Sequence, residues 1–329
     1  MGTQRRHAPT VVAASLLVLS AALPALAGSA SMRETMFSVL LAIGLAASLN
    51  ILLGYCGYAS FGHVVFFGIG GYAGFYLVAV QGAHLATAIA GGGLVAGAFA
   101  AGLGAAILRL RGPHFALATI GVNEAVKALI VNIEPLGGPT GMNLNVSVFR
   151  AYGGAAGMLW AAYGTAAAIA VGAVVLGGLV RTSRFGLGLL VIREDEDAAA
   201  VLGVVAWRYK VGAYVLSAVF PGMLGALFFF KQGVIEPAGA FRLDLSVELL
   251  VMVMLGGAGT VLGPLVGAGS YQLLRSGLLT SDLEVLGVRI RDVQLAVAGA
   301  LLLLVVQLVP AGLVGWARGR WLALRSRPA

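Results

Sequence analysis

The chain has 329 residues, 60% of them hydrophobic and only 10% charged, with a net charge of +8 and a mean hydropathy of +0.97. Water-soluble domains carry about 25% charged residues, so a soluble globular fold is excluded and a chain solvated by lipid is expected. The arginines lie between apolar segments and at both ends, so the positive charge reads as membrane topology rather than nucleic-acid binding. The 49 glycines fall inside apolar runs, where small residues let helix backbones approach closely in lipid. Cys56 is the only cysteine, which rules out an internal disulfide, and its apolar surroundings predict a packed thiol.

Arg5 and Arg6 precede an apolar run from Val11 to Ala27 that closes as Pro24-Ala25-Leu26-Ala27-Gly28. The run approaches the roughly 20 residues that cross a bilayer and is read as an uncleaved first span, with a cleaved secretory signal as the alternative. Apolar segments predict spans near 10–29, 36–54, 61–80, 85–108, 115–133, 157–180, 209–230, 247–274 and 292–314. No soluble domain and no short repeat interrupts them. The N-terminal arginines, Arg109 and Arg111, the group from Arg181 to Lys210, and the tail arginines Arg318, Arg320, Arg325 and Arg327 define one basic side. By the positive-inside rule that side is cytoplasmic and holds both termini. Nine alternating spans would leave the termini on opposite sides, so one segment is expected to be a double pass or a re-entrant loop. The first candidate is 247–274, broken by Gly256-Gly257-Ala258-Gly259-Thr260 and Gly263-Pro264; the second is the glycine-rich stretch 54–72. Irregular backbone at membrane depth survives only where protein or water satisfies its polar groups, so both breaks point to a pathway.

Polar residues inside the apolar segments mark the same regions. Asn50, Ser60, His63, Thr119, Asn123, Glu124 and Lys127 lie at or near membrane depth, where an ionisable group costs about 2.5–3.5 kcal/mol and usually faces a bundle interior. Glu124 and Lys127 are spaced i,i+3 and can pair on a helix, which leaves a structural pin and a pathway role both open. His63 reads first as a satisfied core histidine. Neither His63 nor His114 has zinc-ligand spacing to other donors, no phosphate-binding G-x-x-x-x-G-K-[ST] loop occurs within these residues, and Gly137-Gly138-Pro139-Thr140-Gly141 reads as a turn.

The basic-side segment 181–208 carries the most chemistry. Glu194, Asp195, Glu196 and Asp197 are four successive acids, followed by the helix formers Ala198 to Leu202 and a stop at Gly203. Acids at a helix start complement its dipole. The expected element is a short helix with an apolar face of Ala198, Val201 and Leu202, suited to docking in a partner's groove, or else an ordinary solvated loop helix.

The pattern Asp197-Ala198-Ala199-x3-Gly203 resembles the Glu-Ala-Ala-x3-Gly loop of ABC importer permeases, with aspartate in the glutamate position. The longer run Ile192-Arg193-Glu194-Asp195-Glu196-Asp197-Ala198-Ala199 through Leu202-Gly203 to Arg208-Tyr209-Lys210 is similar to the LivM-type branched-chain amino acid permease family. So are Leu49 to Gly57 with Ser60 to Gly70, Leu108 to Pro113 with Thr119 to Glu124 and Gly137 to Gly141, and Ser246-Val247-Glu248 with Leu255 to Pro264. Together they cover about 40–310. Tyr58, where many relatives have Gln, and Gly186-Leu187-Gly188, in place of Gly-Arg-Ala, depart from the pattern.

The resemblance implies an all-α polytopic membrane protein of about eight to ten transmembrane helices with broken or re-entrant segments, in a vitamin B12 permease-like fold and a single permease domain over 1–329. It implies a permease subunit of an inner-membrane ABC importer, a transport subunit rather than an enzyme. Its partners would be a second homologous permease, two cytoplasmic ATPases that use the ATP, and an extracytoplasmic binding protein; this chain would bind no cofactor or metal. Residues 192–199 with Leu202 and Gly203 would form the ATPase-coupling loop. Asn50, Ser60, His63, Thr119, Asn123, Glu124, Gly256 and Gly257 are the candidate translocation path. The ligand would be a small hydrophobic amino acid such as Leu, Ile or Val. A urea or short-amide importer of the same superfamily is the near alternative, and an ion-coupled secondary transporter with Glu124 and His63 as relay is the remote one.

Overall fold

The computed structural model describes residues 2–27, 30–280, 284–285, 288–289, 300 and 311–325. Helices α1 (Gly2–Ala27), α2 (Ala30–Asn50), α3 (Val64–Ala79), α4 (Leu85–Ile107) and α5 (Pro113–Val131) form the first half. A short α6 (Val146–Ala151) then leads into α7 (Gly154–Thr182), the pair α8 (Arg184–Glu194) and α9 (Glu196–Val201), and α10 (Ala206–Gln232). The tiny α11 (Pro237–Ala240) precedes α12 (Leu243–Gly256) and α13 (Gly263–Thr280), and a last described helix runs Gly312–Arg325. Most of the predicted span 292–314, and Arg327, lie outside the described residues.

Among the described residues, five helices are long and apolar enough to cross a membrane: α2 with its extension to Tyr55, α4, α5, α7 and α10. Two shorter apolar stretches, Ala8–Ser20 and Val64–Ala79, join them. Helix α1 is built into the bundle: its Ala13 and Leu17 are fully buried, and it packs on α7. Helix α10 is central, flanked by α3 and α4, while α2 packs on α7, α10, α12 and α13. At one end of the bundle, β1 (Met142–Asn143) pairs antiparallel with β2 (Val234–Ile235) and ties the two loops there together. The other end carries the α8–α9 arm.

The glycines earn their place at the α3–α4–α10 contact. A Cβ on Gly92 would lie 2.6 Å from the Gly70 carbonyl oxygen and 2.9 Å from that of Gly222, and one on Gly70 would collide with the Gly222 backbone. Three helices thus touch backbone to backbone, the close approach that small residues permit in lipid. Gly70→Ala should destabilise the chain by about 1–3 kcal/mol, the usual cost of overpacking. Thermal unfolding of the purified full chain checks this.

The break in 247–274 occurs, and that in 54–72 occurs over 57–63 only, since Gly68, Gly70 and Gly71 lie inside α3. Helix α2 runs into a π-helical turn, Ile51–Tyr55, and no helix resumes until Val64. Segment 247–274 folds back on itself: α12 and α13 are antiparallel, with Gly267 against Met252 and Gly256 and with Arg275 meeting Glu248. The turn between them spans 257–262, where Gly257 (φ 113°) and Gly259 (φ 81°) hold conformations other residues rarely adopt. With 14 residues, α12 falls short of the roughly 20 needed to cross and forms a half-helix.

Candidate coupling and pathway site

The arm between α7 and α10 is built by two caps. The Ser183 hydroxyl accepts from the Gly186 amide at 3.1 Å to open α8. Asp195 opens α9, its Oδ1 accepting from the amides of Asp197 at 2.8 Å and Ala198 at 3.1 Å. Gly203, at φ 80°, closes it. The four acids therefore do not open one helix, as the sequence suggested. Glu194 ends α8, Asp195 is the extended joint, and only Glu196 and Asp197 lie in the first turn of α9. The Asp195 side chain caps the amides of Asp197 and Ala198 and so starts α9 anew at this joint.

The amide hydrogen bonds from Ala198 and Asp197 hold the Asp195 carboxyl below its ordinary value of 3.8. A carboxylate whose folded value is depressed supports the fold above the unfolded value, and that support fades as pH falls through the folded one. Hydrogen exchange of amides 197–198, corrected for intrinsic rate, should therefore show protection at neutral pH that is lost in acid below 3.8. In Asp195→Ala the protection should be weak at both.

The two faces of α9 differ sharply. Ala199 is fully buried in a cluster with Ile51, Tyr55, Cys56, Val180, Leu189, Ile192 and Ala213. Ala199 and Ile192, expected among the coupling-loop residues, are thus the seat of the arm rather than its outer surface. Val201 and Leu202 are 89% and 71% exposed, and Ala198 lies on the same open side.

An ionic cluster fastens the arm to three other segments. Lys210, only 3% exposed, sits 2.7 Å from Glu196, and its ammonium donates to the Tyr58 hydroxyl at 3.0 Å. Tyr58 donates to Glu196 at 3.2 Å. Arg111 reaches Glu196 at 3.3 Å and Asp197 at 3.1 Å, and those acids hold its guanidinium above its ordinary value. Tyr58 belongs to the first break, Arg111 to the α4–α5 turn and Lys210 to the start of α10. Sequence reasoning noted Tyr58 only as a departure from the family pattern, and Lys210 only as a basic-side charge and the end of the family-like run. A lysine in the first turns of an apolar helix, downstream of four acids, was the available signal.

A second set of bonds links the arm to both breaks. Arg193 Nη1 donates to the Gly54 carbonyl at 2.6 Å. Asn50 Oδ1 accepts from the Gly259 amide at 2.8 Å, and Asn50 Nδ2 donates to the Thr260 carbonyl at 3.0 Å. Gly256 and Gly257 lead into that same turn, and Gly54 has no room for a Cβ between Asn50 and Gly259. Arm, first break and second break meet at one junction.

The remaining pathway candidates group around the start of α3. Ser60 and His63 are fully buried, and neither the Ser60 hydroxyl nor the His63 ring nitrogens make a hydrogen bond of good geometry among the described residues. Thr119 accepts from the Phe61 amide at 3.1 Å and donates to the Ala116 carbonyl at 2.7 Å. Asn123 donates to the Phe241 carbonyl at 3.0 Å and to Glu124 at 3.3 Å. Glu124 points away from this interior, on the exposed face of α5 with Leu117 and Leu129. The expected Glu124–Lys127 pair does not form among the described residues: the closest polar partner of Glu124 is its neighbour Asn123. The same residues hold no cluster of three or more His, Cys, Asp or Glu placed for a metal.

Apolar helices of spanning length, packed around polar breaks, define a multi-pass membrane protein. The family described as the permease component of the branched-chain amino acid transport system matches residues 31–306. The chain belongs to that family. It is 31% identical to the high-affinity branched-chain amino acid transport system permease protein LivM of Salmonella typhimurium, over 77% of this chain and 65% of that protein. LivM of Escherichia coli K12 gives the same figures. The chain thus spans just under two thirds of the length of these two relatives. The L-arabinose ABC transporter permease AraH of Azospirillum brasilense is 30% identical over 31% of this chain and 32% of its own. No solved structure matches.

Proposed function

We propose that the chain is the membrane permease subunit of an ABC importer that carries branched-chain amino acids. The junction at Asn50, Gly54, Arg193 and Gly259 supports this reading above all, because it connects an exposed arm directly to both broken segments. Two cytoplasmic ATPases hydrolyse the ATP and seat the Val201–Leu202 knob of α9. When they close, the arm moves, and Arg193 and Asn50 pass the motion to the backbone at 54–63 and 257–262. Ser60, His63, Thr119 and Asn123 line the inner part of the path. The exposed face of α5, with Glu124, is completed by a second, homologous permease. An extracytoplasmic binding protein delivers ligand at the end carrying the β1–β2 pair.

Residues 1–329 act as one permease domain in the inner membrane, with about eight to ten passes and the vitamin B12 permease-like arrangement. Thr10 of α1 abuts Gly178 near the arm, and Gly312 abuts Gly257. Both terminal helices therefore meet the arm's end of the bundle, which supports cytoplasmic termini. Co-purification of the tagged full chain should recover two ATPases and a second permease, with ATPase activity stimulated by binding protein and leucine. Urea-dependent stimulation without a leucine response would move the assignment to the amide importers. Solute uptake by the chain with no ATPase attached would remove the ABC reading.

A further inference from the structure

A cavity of about 480 Å³ opens between α2, α12 and α13, on the side of the bundle away from the arm. Its volume lies in the range of about 300–1,000 Å³ typical of small-molecule sites. Phe67 and Phe228, their ring centroids 5.5 Å apart, form part of its wall with Leu249. Charged groups share the lining with this apolar wall. Glu248, its side chain only 6% exposed, pairs at 3.1 Å with Arg275, which is 31% exposed. Glu34 and Arg242 complete the charged lining, giving two acids and two bases among the described residues.

Such a pair costs desolvation energy that its mutual attraction only partly recovers. A dipolar ligand entering between the two groups gives each a new partner of the correct sign and leaves the cavity's charge unchanged. A net cation or anion cannot do this. The apolar wall of Phe67, Phe228 and Leu249 offers a place for a branched aliphatic group.

We propose that this cavity is a transit site for a zwitterionic aliphatic α-amino acid. The ligand's ammonium meets Glu248, its carboxylate meets the Arg275 guanidinium, and its side chain lies against Phe67, Phe228 and Leu249. The site rests on the branched-chain importer reading above and supplies the chemistry by which the membrane subunit itself selects that ligand.

The test is equilibrium binding to the assembled transporter in nanodiscs, without binding protein. The probes are leucine, 4-methylvalerate, which lacks the ammonium, and isoamylamine, which lacks the carboxylate. Leucine should bind about tenfold or more tighter than either, since losing one charge contact costs at least about that factor. Glu248→Gln should weaken leucine and erase its advantage over 4-methylvalerate, a change in ratio that a merely structural pair would not cause. Val39→Trp, which fills the cavity from a half-buried lining position, should abolish binding of all three probes. If both variants import leucine with unchanged KM while wild type does so normally, the site is wrong and the importer reading stands. If wild-type assemblies import no branched-chain amino acid, that reading falls and the site with it.

Discussion

Aspartate placed at both Val201 and Leu202 should uncouple import from ATP hydrolysis and leave the chain folded. The two side chains are 89% and 71% exposed and make no part of the buried seat, so the fold loses nothing by their change. A docking anchor of this kind carries about 2 kcal/mol or more, and two of them weaken subunit binding by roughly a hundred- to a thousandfold. The expected result is an unchanged unfolding temperature, loss of ATPase subunits on pull-down and loss of leucine uptake in proteoliposomes. Wild-type uptake in this variant would show that the ATPases dock elsewhere. Ala199→Glu makes the useful contrast. It buries a charge in the seat of the arm, so it should lower stability as well as uptake.

The second large effect is expected at Lys210. Lys210→Met strands Glu196 without its nearest cation and removes the donor to Tyr58. Breaking a buried pair from one side costs about 3–5 kcal/mol. Glu196 keeps Arg111 and some solvent contact, which puts the expected loss at the lower end of that range. The decisive measurement is a double-mutant cycle. Lys210→Met combined with Glu196→Gln should cost clearly less than the sum of the single changes, because the second change removes the orphaned charge. Additive losses would mean that the two side chains do not act as a pair.

The spans and the breaks were legible because each is written locally. The apolar runs gave α4, α5, α7 and α10 to within a few residues of their ends, and glycines marked the stops near 57–63 and 257–262, although Gly68, Gly70 and Gly71 of the expected 54–72 break lie inside α3. The ionic cluster was not legible. Tyr58 lies 152 residues from Lys210 and 138 from Glu196 in the chain, and no periodicity connects positions so far apart. The division of the four acids was hidden for a different reason. Glutamate and aspartate look alike in a charge run, but only the shorter Asp195 side chain turns back onto the amides two and three residues on. For Glu124 and Lys127 the i,i+3 spacing permitted a pair, and Asn123 supplied the competing partner.

Gly70, Gly92 and Gly222 carry a mechanical consequence. Where the main chains of α3, α4 and α10 touch directly, at these three glycines, no side chain lies between them to change rotamer and absorb a displacement. That close contact favours movement of the three helices together, with compliance in the unwound stretches at 57–63 and 257–262. In the mechanism proposed above, a push arriving at Arg193 would be taken up by pivoting rather than by sliding, so gating and energy input would be tuned by different residues of the same chain.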